Sequence, residues 1–97
     1  MEFAQVRAIL AAHQAELHAM GVKSLAVFGS VARGEAGPES DVDLLVEFDR
    51  PVSLFDYAGV QIYLEELLGA KEIDLVMRHC VIKELQGSIY REAIRVL

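Results

Sequence analysis

The sequence predicts an α+β fold in which a small mixed β-sheet is flanked by helices. Three short apolar runs, at residues 24–28, 41–48 and 72–77, have the length of β-strands. The longer segments before and between them carry apolar side chains at helical spacing, and glycines or prolines mark most of their boundaries. The predicted order is α-β-β-α-β-α, which favours one sheet with helices packed against it.

The first two predicted elements are a helix and a buried strand. Residues 3–20 carry apolar side chains at helical spacing, and Gly21 is a residue type that commonly ends a helix. The run SLAVF at 24–28 is short and apolar, which predicts a buried strand that ends at Gly29. Residues 31–40 contain two glycines and a proline, so we expect a short turn of helix followed by a loop.

The second half of the sequence predicts a helix, a strand and a further helix. Ser53, with Asp56 three residues later, resembles a capping box and predicts a helix that runs to about Leu68. Residues 72–77 predict the third strand, and residues 81–93 predict the last helix, although a glycine interrupts it. The last four residues, IRVL, are apolar enough to form a terminal strand.

Composition and charge narrow the class of protein. The chain has 97 residues, and we expect one small domain over residues 1–97. The net charge is −6 and the nine Lys and Arg residues form no run, so nucleic acid is disfavoured as a partner. No apolar run approaches the roughly 18 residues that span a bilayer, so we expect no membrane association. The N-terminus lacks the basic region of a signal peptide, and Cys80 is the single cysteine, which together predict a cytoplasmic protein.

Two aspartates stand one residue apart at the head of the second predicted strand. Because side chains alternate between the faces of a strand, Asp41 and Asp43 point to the same face, with Cα atoms about 6.5–7 Å apart. Carboxylates at this spacing repel each other unless a cation lies between them. Asp74, in the third predicted strand, could join them from a neighbouring strand. Carboxylate oxygens suit Mg²⁺, and three aspartates around two metal ions suit in-line nucleotidyl transfer.

A Gly-Ser pair precedes the aspartates by ten residues. Gly29 permits a tight turn and a close approach of the backbone to a ligand. Ser30 would begin a short helix, whose free N–H groups suit a phosphate, and its hydroxyl adds a donor. Arg33, one turn later, supplies a fixed cation. This stretch therefore predicts a binding site for a nucleoside triphosphate that carries Mg²⁺.

The same residues carry a family resemblance. Gly29-Ser30, ten residues, then Asp41-x-Asp43 resembles the GSx10DxD signature of the polymerase-beta-like nucleotidyltransferases, and the run FGSVARGEAGPESDVDLLVEF is similar to the prokaryotic minimal nucleotidyltransferases. The resemblance covers nearly the whole chain and implies the core fold of that superfamily. It implies that Mg²⁺ and ATP are bound by the signature aspartates, the third aspartate and the Gly-Ser turn. With Ser40 added as a neighbour of the signature, the predicted catalytic and metal-binding residues are Asp41, Asp43 and Asp74, and the predicted nucleotide-binding residues are Gly29, Ser30, Arg33 and Ser40.

The resemblance also implies a biological role. Many minimal nucleotidyltransferases are similar to antitoxins paired with a HEPN-type ribonuclease, and some transfer AMP from ATP to a tyrosine of that partner. The alternative is an antitoxin without catalysis, which neutralises its partner by forming a complex. Because the chain has about the size of a catalytic core alone, we expect no acceptor pocket of its own. The acceptor would then be a protein, or the pocket would form between the subunits of a homo- or hetero-oligomer.

Simpler interpretations stay open for single residues. The three aspartates could be solvated charges on strands without a catalytic role. If the chain is an enzyme, the sequence offers no other evident base, and the acceptor proton would pass to Asp74 or to solvent. The apolar excess of the middle helix could be core or partner surface. The remaining alternatives are a helix cap for Ser30, a surface ion pair of Arg33 with Glu35 or Glu39, a plain loop position for Ser40, and structural or surface roles for His13, His18 and His79.

Overall fold

The computed structural model describes residues 2–35, 41–69 and 72–97. The predicted loop around Gly37 and Pro38 and the candidate Ser40 lie outside these residues. In the described ranges, no helix combines the length and the apolar character needed to cross a membrane. The elements are α1 (Phe3–Ala12), α2 (Gln14–Ala19), β1 (Val22–Phe28), α3 (Gly29–Arg33), β2 (Val42–Phe48), α4 (Leu54–Leu68), β3 (Ile73–Met77), a 3-10 turn (Arg78–Cys80), α5 (Lys83–Glu92) and β4 (Ile94–Arg95).

The four strands form one mixed sheet in the order β3-β2-β1-β4. Strand β1 pairs antiparallel with β2 and with β4, whereas β2 and β3 are parallel. A parallel pair needs a crossover connection, and α4 supplies it between β2 and β3. The predicted α+β class with a mixed sheet and flanking helices is confirmed.

The alternation predicted for the second strand determines which side of the sheet carries chemistry. Val42, Leu44 and Val46 of β2 are buried in the main core, which lies between the sheet and helices α1, α2 and α4. Leu45 points to the other face, where a smaller apolar cluster lies under α5. Asp43 has the same parity as Leu45 and lies on this second face. The main core contains Val6, Leu10, Leu17, Leu25, Val27, Val42, Leu44, Val46, Val60, Leu64, Leu68 and Ile73.

The prediction of a single helix over residues 3–20 was wrong. The chain forms two helices, α1 and α2, that meet at His13, whose backbone leaves the helical region with φ −115° and ψ 22°. Nδ1 of His13 lies 2.9 Å from the carbonyl oxygen of Ile9, so the ring donates a hydrogen bond to the end of α1. Such a local side-chain bond competes with continuation of the helix.

Helix α4 begins as the capping box predicts. The Ser53 hydroxyl accepts a hydrogen bond from the Asp56 N–H, and the Asp56 carboxylate accepts one from the Ser53 N–H, each at 3.1 Å. Two further side chains of α4 cover the edge strand β3, because Tyr57 donates to the carbonyl of Leu75 and Gln61 donates to that of Ile73. An edge strand otherwise presents unpaired carbonyls to any other chain.

The C-terminal segment differs from its prediction in its boundaries. A 3-10 turn precedes α5, which starts at Lys83 rather than at residue 81 and ends at Glu92. The predicted terminal strand is confirmed as β4, which pairs Ile94 with Val27 of β1. The end of α5 is thereby brought beside the end of β1, where the Gly-Ser turn begins.

Candidate active site

The register of the parallel pair brings two of the predicted aspartates together. Asp43 of β2 is directly opposite Asp74 of β3, and both lie on the face covered by α5. Neighbouring strands are about 4.7–4.9 Å apart, so these carboxyl groups lie within contact range. The sequence-based expectation that a neighbouring strand would bring Asp74 to the face of Asp43 is confirmed.

The pKa of Asp43 is raised by this arrangement. Burial raises its pKa to about 6, with further contributions from the hydrogen bond to Asp74 and from the charges of Asp74, Asp41 and Glu92. The ordinary value for an aspartate is 3.8. Because burial and nearby negative charge both disfavour the ionised form, Asp43 is held partly protonated near neutral pH, and a cation would relieve the same repulsion.

Asp41 lies at the margin of this pair. It immediately precedes β2 and is exposed. Among the residues that the structure describes, no three His, Cys, Asp or Glu side chains are grouped closely enough to hold a metal ion. The donor set of carboxylate oxygens nevertheless matches the chemistry that Mg²⁺ prefers. The site of Asp41, Asp43 and Asp74 therefore stays a predicted magnesium site, with two of its three members already adjacent.

Gly29 is required by its position against Asp43. It links β1 to α3 with φ +72°, a conformation that disfavours other residues. A β-carbon placed on Gly29 would collide with Oδ2 of Asp43 and would lie 3.0 Å from its Cγ. The Gly-Ser turn and the carboxylate are thus in direct contact, and only glycine permits this separation.

The cationic part of the predicted phosphate site is also present beside the turn. Arg33 ends α3, and its Nε lies 3.1 Å from the Glu35 carboxylate, as one of the simpler interpretations predicted. Helix α3 begins at Gly29, its N-cap residue is Phe28, and no side chain caps it. The alternative role of Ser30 as a helix cap is therefore wrong, and Ser30 lies in the first turn of α3.

Sequence reasoning missed Glu92. Its Oε1 accepts a hydrogen bond from the Gly29 N–H at 2.7 Å, and its Oε2 accepts one from Nη1 of Arg33 at 2.9 Å. The only sequence signal was its position near the end of the last predicted helix, shortly before the predicted terminal strand. The contact depends on the pairing of β4 with β1, which no local pattern indicates.

A cleft of about 530 Å³ opens next to the two carboxylates. Asp43 and Asp74 line it, and its walls come from the edge of β3, from α4 and from α5. The described residues do not identify what this cleft receives, so the expectation that the chain has no acceptor pocket of its own stays a prediction. The apolar walls include Phe28, Tyr57, Leu75, Val81, Leu85 and Ile89.

Comparison with known protein families identifies this arrangement. The model of the nucleotidyltransferase domain family matches residues 7–96. The chain belongs to this nucleotidyltransferase family. It is 41% identical to the protein adenylyltransferase MntA of Thermococcus cleftensis over 93 residues, which cover 95% of this chain and 93% of the relative.

Solved structures with the same fold include a minimal nucleotidyltransferase and toxin-antitoxin complexes. A minimal nucleotidyltransferase superposes with a TM-score of 0.82 and 39% identity, over 97% of this chain and 95% of the other. A toxin-antitoxin complex with AMP-PNP gives a TM-score of 0.74 at 16% identity, over 94% of this chain and 72% of the other. The toxin-antitoxin MntA-HepT gives a TM-score of 0.65 at 14% identity, over 97% of this chain and 70% of the other. At these low identities, the two complexes establish similarity of fold alone.

We predict that Gly29→Ala destabilises the nucleotidyltransferase more than Gly34→Ala does. Both glycines have positive φ, of +72° and +74°, but a β-carbon on Gly34 meets no atom of the described residues within 4 Å. Gly34→Ala should therefore cost only the left-handed strain of about 1–2 kcal/mol. Gly29→Ala should cost at least about twice as much, because the collision with Asp43 adds to the same strain. Urea unfolding of both variants measures the difference, and equal losses would contradict the close approach.

We predict that Asp43→Asn stabilises the metal-free chain at neutral pH. Between about pH 4 and pH 6 the folded chain binds the Asp43 proton more tightly than the unfolded chain, so the wild-type free energy of unfolding falls as pH rises. Because Asp43 is only partly buried, we expect a discounted gain on the order of 1 kcal/mol, or about 4–8 °C in Tm. Melting curves with EDTA measure it; a gain that is as large at about pH 4 as at about pH 7.5 would contradict this cause.

Proposed function

We propose that this nucleotidyltransferase is a Mg²⁺-dependent protein adenylyltransferase that moves AMP from ATP to a tyrosine of a partner protein. The partner would be a toxin of the HEPN type, and the chain would act as its antitoxin in the cytoplasm. The observation that carries this proposal is the contact between the Gly29 turn and the Asp43–Asp74 pair. The names of the MntA relative and of the toxin-antitoxin complexes support it.

The nucleotide would bind at the Gly-Ser turn. The Gly29 N–H and the Arg33 guanidinium would donate to phosphate oxygens, and the Ser30 hydroxyl would add a donor. Asp43 and Asp74, with Asp41, would hold Mg²⁺, which neutralises phosphate charge and polarises the reacting phosphoryl group. Ser40, directly before Asp41, stays a candidate contact to the nucleotide.

The order of the strands gives the reaction a direction. The proposed phosphate-binding turn follows β1, Asp43 and Asp74 lie on β2 and β3, and the cleft extends from these carboxylates between β3, α4 and α5. In-line displacement at phosphorus needs the leaving group and the attacking group on opposite sides. Pyrophosphate would therefore leave on the side of Gly29, and the acceptor hydroxyl would arrive through the cleft.

The transfer itself exchanges one phosphorus–oxygen bond for another. The acceptor oxygen would attack the α-phosphorus, and the bond from that phosphorus to the bridging oxygen would break and release pyrophosphate. The acceptor proton would pass to Asp74, which is exposed and lines the cleft, or to solvent.

The chemistry of the cleft suits a tyrosine. Its walls are mostly apolar and include Phe28 and Leu75, which suit the flat face of an aromatic ring, whereas the carboxylates meet the hydroxyl end. Ile82 and Leu85 at the start of α5 also line the cleft, and they are 59% and 48% exposed. Exposed apolar side chains beside a reactive site are typical of a surface that receives another protein.

A second candidate function is neutralisation of the partner by complex formation alone. One observation favours it, because the described acidic residues do not form a closed group of three metal ligands. In that case the exposed apolar residues around the cleft would bind the partner without any transfer. The two functions differ in whether the partner is covalently changed.

One prediction of the proposed function concerns the mass of the partner. The candidate partner is the product of the gene next to the one that encodes this chain. It would be co-expressed with the wild-type chain or with the double variant Asp41→Asn/Asp43→Asn. We expect AMP-sized adducts on the partner with wild type and none with the variant, because the variant removes both signature charges. Intact-mass spectrometry measures the adducts, and peptide mapping locates the tyrosine.

The controls separate the two functions. In purified reactions with ATP, EDTA should abolish the adducts and added Mg²⁺ should restore them. A stable complex without adducts in every case would contradict adenylyl transfer and support neutralisation by binding. Adducts that persist with the double variant would contradict the assigned site.

The second prediction concerns the cleft. Leu85→Asp should reduce AMP transfer to the partner by at least about tenfold, roughly 1.4 kcal/mol in transition-state stabilisation, because it puts a charge on an apolar wall. Binding of ATP should stay unchanged, since the cleft receives the acceptor. Ile62→Asp is the matched control, because Ile62 is 56% exposed on α4 and does not line the cleft. Equal effects of the two variants on transfer rates would contradict this path for the acceptor.

A further inference from the structure

We infer that Glu92 closes the phosphate-binding site of the nucleotide-free chain and that ATP must displace its carboxylate in order to bind. This inference rests on the proposed function, because it takes the Gly29 turn and Arg33 as the phosphate donors. It goes beyond that function by assigning Glu92 the part of an internal competitor. Glu92 is the last residue of α5, far from the signature in sequence.

The first ground is that Glu92 occupies both donors at once. One carboxylate oxygen accepts from the Gly29 N–H at 2.7 Å, and the other accepts from Arg33 at 2.9 Å. These are short, charge-assisted hydrogen bonds between an anion and the donors assigned to the nucleotide. The Gly29 amide has a single hydrogen, so it cannot serve Glu92 and a phosphate oxygen with good geometry together.

The second ground is charge. The Glu92 carboxylate accepts from the Gly29 N–H, and Gly29 lies directly against the Asp43 carboxylate, so Glu92 adds a negative charge beside the site. A triphosphate would bring further negative charge to the same donors. Like charges at this distance repel each other, and Arg33 is already shared with Glu35. Bound triphosphate and Glu92 in its observed position are therefore mutually exclusive.

The third ground is that Glu92 can leave without unfolding its surroundings. The chain on either side is anchored, because Tyr90 donates to the carbonyl of Arg78 at 2.9 Å and β4 pairs with β1. The Glu92 side chain itself is 30% exposed. Rotation of this side chain toward solvent would free both donors while α5 and β4 stay in place.

The consequence is a reduced apparent affinity for ATP. When only a fraction of molecules has the binding site free, the apparent Kd rises by the inverse of that fraction. Removal of the carboxylate should restore the intrinsic affinity. Glu92 would thus set the ATP concentration at which the chain becomes loaded.

The test is isothermal titration of Mg²⁺-ATP into the full chain and three variants. Glu92→Ala should bind about tenfold more tightly than wild type, as expected if the site is free in about one molecule in ten. Glu92→Gln should also bind more tightly, because it keeps the shape but loses the charge. Glu84→Ala is the matched control, since Glu84 is an exposed glutamate in the first turn of the same helix. It should stay within about twofold of wild type.

Each outcome supports or overturns the inference. Equal or weaker binding by both Glu92 variants would overturn it and make Glu92 a positioning residue for the turn and Arg33. Absence of ATP binding in all four proteins would overturn it together with the proposed function. Tighter binding by the variants without any AMP transfer to the partner would support it while the proposed function fails. Transfer by wild type with unchanged Kd values would overturn it while the proposed function stands.

Discussion

The close approach of the Gly29 backbone to the Asp43 carboxylate is the contact on which the rest of the site depends. The antiparallel register pairs Phe28 with Asp43, so the turn that follows β1 lies against the carboxylate. A side chain at position 29 would separate the proposed phosphate donors from the acids. The backbone conformation of the Gly29 turn and the position of the Asp43 carboxylate are therefore coupled, and neither can change without the other.

The sheet then distributes the remaining functions around this contact. The parallel pairing of β2 with β3 adds Asp74 on one side, and the antiparallel pairing of β1 with β4 adds Glu92 on the other. Helices α1, α2 and α4 bury the opposite face in an apolar core. The acidic groups thus gather on the second face of the sheet, where they are partly solvated and the cost of their repulsion is lower.

Local patterns predicted the parts of this site that depend on local geometry. Alternation along β2 predicted the face of Asp43, and the Ser53–Asp56 box predicted the start of α4. Patterns of this kind could not predict the break at His13, where a side-chain hydrogen bond to Ile9 accompanies the departure from helical geometry. Nor could they predict the cleft or the Glu92 contact, because both arise from strands and helices distant in sequence. The metal ligands stay a prediction. The spacing of the aspartates indicates a site of the kind that binds Mg²⁺, but it does not show that the three carboxylates come close enough to coordinate one ion.

The edge position of β3 has a consequence for turnover. Asp74 lies on the outermost strand, and the cleft beside it opens at the rim of the sheet. In the proposed transfer, a macromolecular substrate would reach this rim by simple surface encounter, because the cleft formed by the described residues is open to the outside. The rate of repeated modification would then be limited by how quickly the modified partner dissociates. The added phosphate would carry negative charge into an acidic neighbourhood, and this repulsion would favour product departure.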